Sequence, residues 1–225
     1  MFLAILGASG KFGSCIHTLA KKDPNISSIY PASRIRQEGF FEPQTAIQNC
    51  DLVIDSSSHE ATKENLEFAI AFRKPIVIGT TGHPYPLQDL LTASSKKIPI
   101  FYAANFSIGV YLLIESVRRY HEALPQKQVK VEEVHHISKQ DKPSGTALLV
   151  VKQMPELSIP IISHRTADGI PTHTIDFSLE EEEVLSLSHK AYSRNVYAKG
   201  ALKAAHFLLK KPPGLYSMAD LLSNN

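Results

Sequence analysis

The stretch Phe2-Leu3-Ala4-Ile5-Leu6-Gly7-Ala8-Ser9-Gly10-Lys11-Phe12-Gly13 decides the fold. Its first five residues read as a short buried strand, and a helical stretch follows to about Lys22, stopped near Asp23-Pro24. Glycines between a strand and a helix allow a tight turn, close backbone approach to a pyrophosphate, and close helix–sheet packing. The common form is Gly-x-Gly-x-x-Gly, and Ser9 takes its middle-glycine place beside Gly10. Alone, such a motif also fits a tight turn without ligand. Its place in the first strand–helix unit favours a dinucleotide site.

The same rhythm continues outward. Strands are expected at 28–32, 51–55, 75–79 and 99–103, with helices at 59–73 and 86–95. Strand, turn and helix in alternation predict a parallel α/β sheet. After residue 106 the pattern changes to an amphipathic helix at about 108–121, then longer strands at 128–138, 159–164, 172–179 and 183–190. A helix from Thr146 interrupts them, and a helix at 195–210 and the segment 216–222 close the chain. The fold class is therefore α/β: a Rossmann-type dinucleotide-binding domain with a second, smaller α+β mixed-sheet domain. The run Glu180–Glu183 reads as a charged hairpin tip or loop.

Composition narrows the function. The 225 residues can bury a full core, and 43% apolar with 20% charged residues is ordinary for a globular protein. A net charge of +2 gives no reason to invoke nucleic acid or a membrane surface. No apolar run reaches the roughly 18–20 residues of a membrane span, and the N-terminus enters a strand rather than a signal peptide. Only Cys15 and Cys50 are present, which argues against a disulfide scaffold and suits a reducing, cytoplasmic setting.

The end of the second strand usually separates NAD from NADP, through an acid for the ribose 2′-hydroxyl or an arginine for the 2′-phosphate. Here it reads Ala32-Ser33-Arg34-Ile35-Arg36, with no acid before Glu38. NADPH is expected, with Arg34 the phosphate contact, although an exposed loop arginine would look the same. Gly79-Thr80-Thr81-Gly82 ends the fourth strand and Ala103-Ala104-Asn105-Phe106 the fifth. Ligands of open α/β sheets bind outside the carboxyl ends of strands, so both segments are placed to line a nicotinamide pocket.

The chemistry gathers in Glu133-Val134-His135-His136-Ile137-Ser138-Lys139, followed by Asp141-Lys142-Pro143-Ser144-Gly145-Thr146. On a strand, His135 and His136 point to opposite faces, and Lys139 shares His135's face if the strand stays regular. The turn at 143–146 offers backbone N–H groups and a hydroxyl at the start of a helix, a cradle for an anion. A zinc site on the two histidines is disfavoured, because they diverge and no Cys or carboxylate set supplies obvious further ligands. No metal is expected.

Together these residues resemble the 4-hydroxy-tetrahydrodipicolinate reductase (dihydrodipicolinate reductase) family of lysine and diaminopimelate biosynthesis. The matching elements are Gly7–Gly13, Gly79–Gly82, Ala103–Gly109, the His135-His136…Lys139…Pro143–Thr146 run, Arg165…His173, His189-Lys190, Arg194 and Ala198–Ala201. They run in family order over essentially the whole chain. The resemblance implies that His135 is the proton donor and acceptor and Lys139 a proton donor. It implies that His136, Ser144, Gly145 and Thr146 hold a dicarboxylate ring. Gly7, Ala8, Ser9, Gly10, Lys11, Phe12, Arg34, Gly79, Thr80, Thr81, Ala103, Ala104, Asn105 and Phe106 would hold NADPH, with NADH possible. It further implies a dinucleotide domain at 1–106 plus 201–225, a substrate and oligomerisation domain at 107–200, and a homotetramer.

The chain departs from the family in three places. Ser33 stands where the family has an acid, Ala167 and Pro171 stand where it usually has glycines, and the segment between Arg34 and Asp51 is short, so one element there is expected to be reduced. Two rival readings are a different NADP-dependent oxidoreductase and a non-catalytic nucleotide sensor. A phosphorylating semialdehyde dehydrogenase needs a nucleophilic cysteine in its catalytic domain, whereas Cys15 and Cys50 both fall in the nucleotide half. A sensor has no need of a proton donor beside an anion cradle.

Overall fold

The computed structural model describes residues 1–35, 37–123, 128–180 and 183–223. It divides into two units, Met1–Phe106 with Arg194–Asn225, and Ser107–Ser193.

The first unit begins β1 (Phe2–Leu6), α1 (Lys11–Ala20), β2 (Ser28–Ala32), α2 (Pro43–Asn49), β3 (Leu52–Asp55), α3 (His59–Ala71), β4 (Ile76–Ile78), α4 (Leu87–Ser94), β5 (Pro99–Tyr102). Its strands are apolar on both faces, which only a sheet covered on both sides can accommodate. One face packs Ala4, Leu6, Val53, Ile76 and Ile78 against Ala46 and Ile47 of α2, Leu66 and Ala69 of α3, and Leu91 of α4. The segment between Arg34 and Asp51 keeps a helix, α2, seven residues long with Pro43 in its first turn. Sequence periodicity did not predict it, because so short a helix shows barely two turns of pattern.

The second unit holds α5 (Ile108–Ala123), β6 (Gln128–His136), α6 (Gly145–Val151), β7 (Ile161–Thr166), β8 (Thr172–Glu180) and β9 (Glu183–Lys190). Its sheet runs β7-β6-β8-β9, parallel between β6 and β7 and antiparallel elsewhere. The charged run at 180–183 sits where β8 turns into β9, with Glu180 opposite Glu183; residues 181 and 182 lie outside the described residues. The inner face packs Val129, Val131, Ile175 and Phe177 against Leu113 and Val117 of α5 and Ala147 and Val150 of α6.

The chain then returns to the first unit through α7 (Asn195–Leu208), β10 (Gly214–Tyr216) and α8 (Met218–Leu222). The return comes at Arg194 rather than at the expected 201, because α7 buries Ala198, Ala201, Ala204, Ala205 and Leu208 along its whole length. Phe207 of α7 meets Phe101 of β5 edge-on at 6.1 Å between ring centroids. The segment at 216 also adds an edge strand, giving a six-stranded parallel sheet ordered β10-β5-β4-β3-β1-β2. No helix among the described residues is long and apolar enough to cross a membrane.

Candidate active site

In the first unit, the glycine turn follows from close packing. Gly7 has φ +74°, and a Cβ there would stand 2.6 Å from the Ser56 carbonyl oxygen. A Cβ on Gly13 would stand 2.2 Å from the Gly7 carbonyl oxygen, so α1 approaches β1 only through glycine. α1 opens at Lys11 behind Gly10, and its N-terminus favours an anion by unpaired N–H groups and helix dipole.

Two cavities lie at this carboxyl end of the sheet. One, of about 260 Å³, is lined by residues including Gly7, Ser9, Gly10, Ser33, Arg34 and Asn65. The other, of about 300 Å³, is lined by Lys11, Phe12, Gly79, Ala104, Asn105 and Phe106, with Arg194 and Tyr197. A Cβ on Gly79 would stand 2.7 Å from the Phe106 ring. These cavities fit an extended dinucleotide, polar at the glycine turn and aromatic at the far end. Four expected cofactor residues stand outside this lining. Ala8, Thr80 and Ala103 are buried, Thr81 is exposed, and the Thr80 hydroxyl lies 2.6 Å from that of Thr62. Arg34 does line the first cavity, where its guanidinium pairs with Glu64.

In the second unit, strand register builds the chemistry. The inward residues of β6 run Val129, Val131, Glu133, His135, turning from apolar to ionisable at the strand's end. Across the sheet, Glu133 sits opposite Ser163 on β7 and His173 on β8, and His173 sits opposite His189 on β9. His135 sits opposite Arg165. Period-two alternation therefore delivers one row of polar groups from four strands to one face.

Glu133 is fully buried. Its Oε1 accepts from the Ser144 N–H and from Arg165 Nη2, both at 3.0 Å, and its Oε2 lies 3.0 Å from His135 Nδ1. Burial opposes its charge, but donors from Ser144, Ser163 and Arg165 outweigh that and hold its pKa down to about 2. Burial lowers the pKa of His135, and the Glu133 charge partly restores it. Burial lowers His173 further, to about 4, with His135 adding to the effect; the two rings meet edge-on at 5.1 Å.

β6 ends at His136, and the Lys139 N–H closes a turn onto the His136 carbonyl at 2.9 Å. The regular strand that would put Lys139 on His135's face does not extend that far; the turn sets Lys139 instead. Its Nζ lies 2.8 Å from Asp141. His136 points to the other face and is exposed. Its Nδ1 accepts the Ser138 N–H at 3.1 Å, which leaves Nε2 to carry the proton outward. Ser144 caps α6, its Oγ accepting from the Ala147 N–H at 3.2 Å and lying 3.3 Å from His173 Nε2. Gly145 and Thr146 form the first turn behind that cap.

The sequence singled out the stretch beginning at Glu133 without giving Glu133 a role, and gave His173 no distinct one. The i, i+2 spacing of Glu133 and His135 was the signal for the first; His173 needs the strand pairing. The divergence of His135 and His136 holds, but a carboxylate and a third histidine, not obvious in the sequence, do gather beside His135. Glu133, His135 and His173 each bring a ligand atom within 4.8 Å of the others. Arg165 and the Ser144 N–H fill Glu133 Oε1, which leaves Oε2 facing His135 Nδ1 at 3.0 Å.

Family models match nearly the whole chain: that of the dihydrodipicolinate reductase N-terminus over residues 1–106 and that of its C-terminus over 109–222. The chain belongs to the dihydrodipicolinate reductase family. A 4-hydroxy-tetrahydrodipicolinate reductase of Bdellovibrio bacteriovorus is 34% identical over 228 residues, 98% of this chain and 95% of that protein. One from Sulfurimonas denitrificans is 34% identical over 253 residues, 98% of each chain. Among solved structures, a dipicolinate-bound dihydrodipicolinate reductase from Paenisporosarcina aligns with TM-score 0.78 at 20% identity, covering 99% of both chains. An aspartate dehydrogenase from Thermotoga maritima aligns with TM-score 0.56 at 15% identity, over 94% of this chain and 98% of its own. As a dihydrodipicolinate reductase family member, the chain is an oxidoreductase that uses a nicotinamide dinucleotide.

Proposed function

We propose that the chain reduces 4-hydroxy-tetrahydrodipicolinate to tetrahydrodipicolinate, with His135 as the proton donor and Lys139 holding or protonating the substrate. One observation carries this reading. Asp141's own carboxylate lies on Lys139 Nζ at 2.8 Å and is also reached by the Gly145 N–H. The loop beside His135 is thus built to grip a carboxylate, and the substrate carries two. His136 Nε2–H and the first turn of α6 at Gly145 and Thr146 supply further donors for the ring's acids.

Gly7, Ser9, Gly10, Lys11, Phe12, Gly79 and residues 104–106 are the expected cofactor contacts, and Arg34 favours NADPH over NADH. Loss of the C4 hydroxyl as water, together with a proton from the neighbouring ring carbon, leaves a conjugated imine, and a dihydronicotinamide held at the glycine-turn end of the first sheet would supply a hydride to its C4. Reduction of the conjugated imine leaves electron density on the neighbouring carbon, and His135 delivers a proton there. In the empty protein, burial keeps His135 below its ordinary pKa, so the substrate's negative charge must help to load its proton. The working assembly is a homotetramer in the cytoplasm. The sheet's outer face supports assembly, with Ile162 and Val184 exposed among polar neighbours.

His135→Gln tests the chemistry. Turnover of NADPH, with substrate made in situ from pyruvate and aspartate semialdehyde by its synthase, should drop by roughly 10²–10⁴-fold. NADPH binding, read by fluorescence, should persist. Full activity in that variant would sink the assignment of His135. In the parent, kcat/KM should fall as pH rises through a pKa below 6.5, because the active imidazole must be protonated and burial lowers its pKa.

A further inference from the structure

We propose that Glu133 is a positioning residue that fixes the tautomer of His135 and supports its positive charge. The inference rests on His135 being the proton donor.

Three facts lead to it. Glu133 is fully buried, and its Oε1 is occupied by the Ser144 N–H and Arg165 Nη2. That leaves Oε2 facing the imidazole, 3.0 Å from Nδ1. Both Oε2 and Nδ1 are buried, and among the described residues neither has an aligned hydrogen-bond partner. Two orphaned polar atoms at hydrogen-bond distance need only a turn of the ring to pair, and catalytic contacts often align only once substrate is bound. An ionised carboxylate can only accept, so the pairing demands a proton on Nδ1. Nε2 is then the atom that exchanges a proton with substrate. Once His135 is charged, the buried carboxylate at 3.0 Å stabilises the imidazolium.

The other charges around His135 make this support necessary. Lys139 and Arg165 disfavour its protonation, as does burial, and Asp141 and Glu133 oppose them. His173 packs against the ring from β8 as a neutral group, since its own pKa is held to about 4. Arg165 restrains the assembly as a whole. It holds Glu133 Oε1 at 3.0 Å, the Lys139 carbonyl at 3.2 Å and the His164 carbonyl at 2.8 Å.

The test is Glu133→Gln, read first by ¹⁵N NMR of the His135 ring without substrate. The parent should carry its neutral-form proton on Nδ1, and the variant should shift toward Nε2. In turnover, kcat should fall roughly 10- to 1000-fold while both KM values stay within about twofold. The alkaline limb of kcat/KM should move to lower pH, because the lost negative charge no longer favours imidazolium. Glu133→Asp keeps the charge for Arg165 but withdraws the oxygen from Nδ1, and should fall between the two; it serves if the Gln variant does not fold. An unchanged tautomer and an unmoved pH limb, even with reduced kcat, would overturn the proposal and leave Glu133 as an anchor for Ser144 and Arg165. A shifted tautomer with undiminished turnover would uphold the positioning of the ring but remove His135 from the chemistry, so the two failures are told apart.

Discussion

Arg34 lines the cavity at the glycine turn already engaged with Glu64, an ion pair between half-exposed side chains. On the proposed NADPH reading, Glu64 competes with the 2′-phosphate for the same guanidinium. Such exposed pairs are worth about 0–1 kcal/mol, so Glu64→Ala should raise the NADPH-to-NADH ratio of kcat/KM by up to about fivefold. An unchanged ratio would mean that Arg34 does not read the phosphate. Asp141 poses the same question at Lys139. Burial works against its charge, but Lys139 lowers its pKa overall, so at neutral pH a carboxylate already occupies the ammonium. Asp141→Asn should lower the substrate KM severalfold; a KM that rises instead would make Asp141 the residue that aims Lys139. The first competition was not legible in the sequence. Glu64 lies on α3, thirty positions from Arg34, and meets it only in the folded chain.

At the scale of elements, short segments hold the reactive groups. α6 has seven residues and relies on its cap, because so short a helix is marginal by itself. Ser144 caps it, and its N–H holds Glu133 while its Oγ lies beside His173. Ser144→Ala removes the cap and the partner of a buried imidazole, and should destabilise the fold by about 1–2 kcal/mol in urea titration. A loss well below that would mean another group takes over the cap. Gly7→Ala should abolish cofactor binding, read by NADPH fluorescence titration, because φ +74° and a Cβ 2.6 Å from a carbonyl oxygen force the turn open. The sequence placed that turn, because glycine spacing reports a local steric need. It extended β6 past His136 and missed α2, because the end of one strand and a seven-residue helix are set by what packs on them.

For the whole molecule, the buried row in the second unit ties stability to pH. His173 is held to about 4, so its neutral form is the folded one, and its Nδ1 has no partner among the described residues to receive a proton. As pH falls from about 6.5, an unfolded histidine takes up a proton that the folded one refuses. Stability should decline by about 3 kcal/mol between pH 6.5 and 4, and then level off for this group. Glu133 acts in a lower window, giving stability that is full above its ordinary carboxylate pKa and lost as pH falls through about 2. His173→Gln should flatten the upper slope in denaturant titrations at stepped pH while leaving the lower one. An unaltered upper slope would assign it to other histidines.

The sequence alone determined the two-part architecture, the glycine turn, the strand ends beside the first unit's cavities, and the run from β6 to α6 that carries His135, Lys139 and Thr146. Each follows from short-range rules: hydrophobic period, steric need for glycine, and groups neighbouring one another on the chain. Tertiary structure alone decided which groups face one another. Strand register put His173 and Arg165 around Glu133 and His135, and the end of β6 turned Lys139 onto Asp141. The first pairings depend on strands that are distant in sequence but adjacent across a sheet, the last on where β6 ends, and their energies depend on burial, which no local pattern records.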